Sequence, residues 1–311
     1  MNQFKICLIL IFSAFFTLKK AAAQGKSSVV PYRFILEDYD LTEENNKAIG
    51  NGIALMVDIY SNGFGFYFED DLKVKIRIFE EYFDYKIHQM GHSRTTTNSA
   101  FYSFKLNEAV VWNRKSNQQL QRDIFHEVNH LLMRNIKSSG SSDFRYRPYW
   151  INEGMSEYFE MLRPGQQHCR VEPQLVKFER CREWLLNDEL PDLNTYFAMT
   201  NLQWKRLDSK NSQYMARTVA WSLVHYMLSQ ENGADITAKV LQYLEQNQRQ
   251  EAASLMAIEQ VVPGGVAQLQ QNWHNWLRLK PAAHLYKNNG QTIELMPTQE
   301  LYHHEKTEKA R

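Results

Sequence analysis

The sequence predicts an α+β fold, with a mixed-sheet N-terminal lobe, a mostly helical C-terminal lobe and a cleft between them. Three observations predict it. Three short strand-like runs lie between residues 74 and 112, an H-E-x-x-H helix follows them, and helical periodicity dominates from residue 212 to residue 279.

The elements can be justified in order. Lys5 precedes an apolar run from Ile6 to Leu18, and Ala21-Ala22-Ala23-Gln24 offers the small residues that a signal peptidase prefers, so residues 1–23 read as a secretory signal. The run is shorter than the roughly 20 residues that span a bilayer, and Lys19-Lys20 closes it, which disfavours a membrane anchor. A secreted or periplasmic protein without stable membrane insertion is expected. Residues 41–61 carry helical periodicity in Ile49, Ile53, Met56, Ile59 and Tyr60, opened by Thr42-Glu43-Glu44 and ended by Asn62-Gly63. Val74 to Phe79 alternates as a strand, Ala100 to Phe104 and Ala109 to Trp112 are two more, and Leu106-Asn107-Glu108 turns between them. The strand at 109–113 is expected to be a sheet edge on which an extended peptide docks above the metal, the alternative being an interior strand. A helix over 117–134 follows, and the N-terminal lobe is drawn as 24–136.

Ser138 to Asp143 is a polar loop, and Pro148 and Arg163-Pro164-Gly165 bound a helix over 149–162. From Gly165 to Lys210 the chain reads as irregular, with Trp184, Leu185 and Tyr196 as packing points. Helices are expected over 212–230, 234–246 and 266–279, the last preceded by Pro263-Gly264-Gly265. The helical lobe is drawn as 137–285, and the charged segment 286–311, with His303-His304, as a mobile tail. Cys169 and Cys181 remain after signal removal, and in an oxidising compartment they would pair, the alternative being two free thiols.

Composition excludes some functions. With 43% hydrophobic and 23% charged residues and a net charge of +1, the chain has an ordinary core and no electrostatic footprint for nucleic acid. The chemistry is carried by His126-Glu127-Val128-Asn129-His130. Two histidines four apart lie one turn apart on one helix face, so both imidazoles can reach one metal ion. Glu127 beside them is placed to take a proton from water that a cation has acidified. Catalytic zinc commonly has three protein ligands, and Glu153 on the next helix supplies a carboxylate of the right type. Glu157, four residues on, could accept the spare ring N–H of a ligand histidine.

The layout His126-Glu127-x-x-His130, then twenty-two residues, then Asn152-Glu153-Gly154 within Trp-x-x-Glu-Gly-x-x-Glu-Tyr-Phe-Glu, resembles the gluzincin zinc metallopeptidases of the thermolysin and aminopeptidase N type. It is more similar still to short secreted peptidase-MA-like domains of unknown function, which share the Tyr214…Trp221-Ser222-Leu223-Val224-His225-Tyr226 stretch, Gly233 and Leu269…Trp273…Trp276-Leu277. The similarity spans most of residues 30–280, although only the two zinc motifs are specific.

The resemblance implies a zincin-like fold, Zn2+ held by His126, His130 and Glu153, Glu127 as general base, and a peptide or protein substrate. It also implies a Tyr or His from the helical lobe that donates to the oxyanion. Tyr214, Thr218, Trp221 and His225 share one face of the 212–230 helix, making Tyr214 the first candidate and His225 the second. The Gly-x-Met-Glu-Asn stretch that grips a free amine in the aminopeptidases is missing, so an endopeptidase is expected rather than an N-terminal exopeptidase. The alternative is an exported, non-catalytic protein that uses the same fold to bind an envelope partner or extended polypeptide.

Overall fold

A computed structural model of the chain describes residues 30–93, 96–138, 147–165, 168–247, 252–288 and 293–295. The expected signal segment, most of the 138–143 loop and the His303-His304 pair lie outside them.

The architecture is α+β. A four-stranded mixed sheet is built from β1 (Tyr32–Glu37), β2 (Val74–Phe79), β3 (Ala100–Ser103) and β4 (Glu108–Trp112) in the order β1-β2-β4-β3. β1 and β4 run parallel to β2, while β3 is antiparallel to β4. Period-2 alternation sends the two faces to different partners. Val74, Ile76, Ile78, Ala109, Val111, Ala100 and Tyr102 enter the main core, whereas Phe79, Phe101 and Val110 turn to the other face. There they meet Tyr85 of α2 (Tyr82–His92).

The main-core face is covered by α1 (Glu43–Asp58), which continues as a π-helical turn to Gly63, and by α3 (Asn117–Asn135). Each helix starts on a side-chain cap: Thr42 Oγ1 accepts from the Asn45 amide at 3.2 Å, and Ser116 Oγ from the Gln119 amide at 3.3 Å. Leu120, Ile124, Val128, Leu131 and Leu132 give α3 its buried stripe.

The second motif lies on α4 (Tyr149–Phe159). It packs against both α3 and α8 (Met215–Leu228), so the helix carrying Glu153 is wedged beside the one carrying the histidines. Gly154 makes this possible. A Cβ there would lie 2.7 Å from the Ala220 carbonyl oxygen and 2.8 Å from Val224 Cγ2. Because the nearest of these atoms is helix backbone, Gly154→Ala should destabilise by about 1–2 kcal/mol even after the gain in helix propensity. Urea unfolding measures this, and a stability equal to wild type would show that the two helices are free to separate.

Between α4 and α8 come β5 (Leu162–Arg163), β6 (His168–Val171), α5 (Leu175–Leu186), α6 (Leu193–Phe197) and α7 (Asn201–Leu207). Three helices thus occupy the stretch read as irregular; α6 and α7 are too short to display a hydrophobic period. After α8 follow α9 (Gly233–Gln246), α10 (Ala253–Val261) and α11 (Gly265–Leu277). β7 (His284–Asn288) and β8 (Ile293–Leu295) complete a second sheet in the order β5-β6-β7-β8. Strand pairing therefore reaches into the segment drawn as a mobile tail, because Tyr286 and its neighbours pair with β6 far back in the chain.

Two further expectations are corrected. β4 is flanked on both sides by strands, so it offers no free edge; β3 is the outer strand, turned outward by a hairpin with Asn107 at φ 51°. Cys169 and Cys181 are both free and buried rather than paired. Cys181 Sγ faces the Thr218 carbonyl at 3.8 Å, while Cys169 sits on β6 opposite Tyr286. Burial raises both thiols, Cys181 to about 12, so neither is reactive at neutral pH. No helix among the described residues is long and apolar enough to cross a membrane.

Candidate metal centre

α3 and α4 bring His126, His130 and Glu153 together. His126 Nε2 lies 3.9 Å from Glu153 Oε2, and His130 Nε2 lies 3.8 Å from Glu153 Oε1. The three ligand atoms all lie within 4.8 Å of one another. Around a tetrahedral zinc with bonds near 2.0–2.2 Å, ligand atoms stand about 3.4 Å apart, so each Nε2–carboxylate pair needs to close by about half an ångström. The two nitrogens, one carboxylate and their spacing fit zinc.

The other ring nitrogens are held in place. His126 Nδ1 faces Glu160 Oε2 at 3.4 Å, and His130 Nδ1 hydrogen-bonds Ser156 Oγ at 3.1 Å. Ser156 is itself anchored: Asn129 Nδ2 donates to its oxygen at 2.9 Å, and Tyr60 Oη donates to Asn129 Oδ1 at 2.6 Å. This chain runs from the core to the His130 ring, and both Nε2 atoms face the Glu153 carboxylate.

Glu160, not Glu157, therefore faces the spare nitrogen of His126. Glu157 is engaged by Lys177, with Gln174 Nε2 donating to it at 3.1 Å. Burial alone would raise the Glu157 carboxyl, yet Lys177, His126 and Arg217 together hold it well below the usual carboxylate range. A second ligand-like grouping of His126, Glu157 and Glu160 shares His126 with the first.

The three residues open onto a cleft of about 560 Å³, lined by α3, α4, the β3 edge and Arg217. Five carboxylates face it: Asp123, Glu127, Glu153, Glu157 and Glu160. Burial, reinforced by Glu153 and Asp123 against the pull of His126, raises Glu127 to about 8. Burial would lower His126, but Glu160, Glu127 and Glu157 outweigh it and raise that imidazole to about 10. At His130 burial prevails over Glu153, and its pKa falls. Four arginines line the same cleft, so its fitness for a cation rests on the grouping of His126, His130 and Glu153 rather than on net charge.

The two candidate oxyanion donors are placed elsewhere. Gln213 and Tyr214 adopt left-handed φ angles of 51° and 57°, so α8 begins at Met215 and Tyr214 falls off the helix face on which the sequence put it. Its ring is 44% exposed, rests against Arg217 and does not line the cleft. His225 is fully buried, stacked on His284 with ring centroids 4.2 Å apart, and its Nε2 bonds the Ala282 carbonyl at 3.0 Å. His284 in turn bonds Tyr158 Oη at 2.7 Å and Ser229 Oγ at 3.0 Å, which fastens β7 to α4 and α8.

That pair makes stability depend on pH. Burial pushes His225 down to about 4, with the Ala282 carbonyl opposing, and burial with His225 nearby depresses His284 as well. Unfolded histidine titrates near 6.5, so below that pH the unfolded chain takes up protons that the folded chain refuses. Stability attributable to His225 should fall by about 3 kcal/mol between pH 6.5 and 4. Urea midpoints across this range should drop more steeply for wild type than for His225→Gln; parallel curves would refute it.

Sequence reasoning missed Ser156, Glu160 and Arg217. Glu160 was legible as the residue seven beyond Glu153, on the same helix face. Arg217 left no signal, because the α4–α8 contact that brings it to the cleft is not local.

A model of a family described as "Protein of unknown function (DUF1570)" matches residues 122–251. The match runs from α3, just ahead of His126, to just beyond α9, and so contains every residue of the centre. No curated protein matches the chain.

Proposed function

We propose that this chain is an exported, zinc-dependent endopeptidase with a zincin-like arrangement, hydrolysing peptide bonds in a peptide or protein substrate. The observation that carries the reading is the convergence of both Nε2 atoms on Glu153 while both Nδ1 atoms are tied back to Glu160 and Ser156.

His126, His130 and Glu153 would hold the ion, each imidazole through Nε2 with its proton on Nδ1. Zinc, when bound, supplies Lewis acidity, lowering the pKa of water toward about 7 and polarising a carbonyl. Glu127 is the base: it takes a proton from the attacking water and returns it to the leaving amine nitrogen. Its burial excludes solvent from that transfer. The outer edge of β3, which lines the cleft, offers backbone groups on which an extended substrate can lie beside the metal ligands. Phe104 at the end of that edge is 66% exposed and stacks under the Arg134 guanidinium at 4.9 Å, giving the cleft an aromatic rim.

Metal analysis and a peptide-library digest of wild type and Glu127→Gln test the reading together. Zinc in both with cleavage by wild type alone is the expected result. Zinc in both with cleavage by neither would favour a non-catalytic protein that binds extended polypeptide, and the absence of zinc from wild type would end the peptidase reading.

A further inference from the structure

Neither Tyr214 nor His225, the residues expected to face an oxyanion, lines the cleft, whereas Arg217 does. We infer that Arg217, clamped by Asp208, is the cationic group that stabilises the tetrahedral oxyanion; this rests on the peptidase reading above.

Four arginines line the cleft, and each has a partner. Arg147 donates to the Met133 and Ile136 carbonyls at the end of α3, Arg134 lies over the Phe104 ring, and Arg114 faces Asp123 at 3.6 Å. Arg217 alone among them is held from the α8 side, where its charge acts on Glu153 and Glu157.

Its orientation is fixed. Asp208 accepts from Arg217 Nε at 3.0 and 2.9 Å, from Nη2 at 2.6 Å and from the Arg217 backbone amide at 3.1 Å. Those bonds consume one edge of the guanidinium and leave Nη1 outside the clamp. Asp208 is nearly buried while the Arg217 side chain is 37% exposed, so the charge is carried by a rigid base into an open space. The helix dipole opposes a positive charge in the first turn of α8, so the Asp208 clamp is what holds the guanidinium there. A donor locked before reaction is what electrostatic catalysis requires.

In the reaction, the water oxygen forms a bond to the carbonyl carbon, its proton passes to Glu127, and the C=O π pair moves onto oxygen. Arg217 Nη1 donates to that oxygen. The pair then returns as the C–N bond breaks, and the amine leaves with the proton from Glu127. A carboxylic acid and an amine result, and the acid then loses its proton to the amine or to bulk water, with no redox change. Arg217 is the catalytic group, and Asp208 is a positioning residue that acts through it.

The test uses the full zinc-loaded chain with Arg217→Ala, Arg217→Lys and Asp208→Asn. Zinc content should stay at the wild-type level. On a substrate found in the library digest, kcat of Arg217→Ala should fall about 10²–10³-fold with KM little changed, as for loss of one oxyanion donor. Millimolar guanidinium should restore part of that loss in Arg217→Ala and nothing in wild type. Inorganic phosphate, a tetrahedral anion, should bind Arg217→Ala at least about tenfold more weakly, while acetohydroxamate, which needs only the metal, binds both alike. Should Arg217→Ala fail to fold, Arg217→Lys and Asp208→Asn, which keep the charge or the hydrogen-bonding shape, give the same readouts in milder form. Wild-type turnover in Arg217→Ala would overturn the role of Arg217 and leave the peptidase reading intact. Phosphate held through Arg217 by a zinc-loaded chain that cleaves no peptide would overturn the peptide substrate and support the anion-stabilising role.

Discussion

Glu127→Gln should retain zinc at the wild-type level and lose about 10²–10⁴-fold in kcat. The range is that of a positioned general base, and the amide keeps the shape of the side chain while removing its ability to accept a proton. Glu127 does not belong to the set whose atoms converge on one point, so metal affinity should survive the change. Burial, with Glu153 and Asp123 against the pull of His126 and Arg217, raises the side chain to about 8, near the pH at which proton transfer is efficient. Inductively coupled plasma measurement of zinc alongside kcat separates the two effects. A variant with full turnover would remove Glu127 as base; one that loses its zinc would make it a ligand instead.

Glu153→Ala should do the reverse and abolish stable metal binding. Substitutions of groups that merely orient ligands typically cost 10–100-fold in metal affinity, and loss of a ligand should exceed about 100-fold. The remaining histidines would also lose the carboxylate that stands 3.8 and 3.9 Å from their Nε2 atoms. Competition against a chromophoric chelator measures the affinity. Near-stoichiometric zinc in Glu153→Ala would move the third ligand to the neighbouring group of Glu157 and Glu160, which already shares His126.

What the sequence made legible follows from how far each feature depends on its neighbours in the chain. The α3 and α4 helices, their caps and the pairing of Glu153 with the two histidines are local patterns with period 3.6, and the helix bounds observed lie within a few residues of those expected. The β3–β4 hairpin was legible too, since its turn lies between the two strands. Which of the two lay outside was not, because β4 is made interior by parallel pairing with β2, an arrangement that no local pattern encodes. Tyr214 and His225 were misplaced for two different reasons. Two consecutive residues in the left-handed conformation uncommon outside glycine, Gln213 and Tyr214, delay the start of the helix to Met215. His225 has the polarity of a site residue, but a stacked partner 59 positions away in sequence keeps it inside the protein. Ser156 reads as an ordinary small helix residue until Asn129 and Tyr60 are seen behind it.

The apolar interior is continuous: buried residues of the sheet, α3, α4 and α8 form one cluster, with Tyr60, Phe125, Met155 and Trp221 among its members. The two halves are therefore not shells that meet at a seam, and the ligands inherit their spacing from the packing beneath them. Evolution at the rim, along β3 and around Phe104, can retune what the cleft accepts without disturbing the donors, while a change of volume deep under α3 and α4 would detune the centre without touching any residue that faces it.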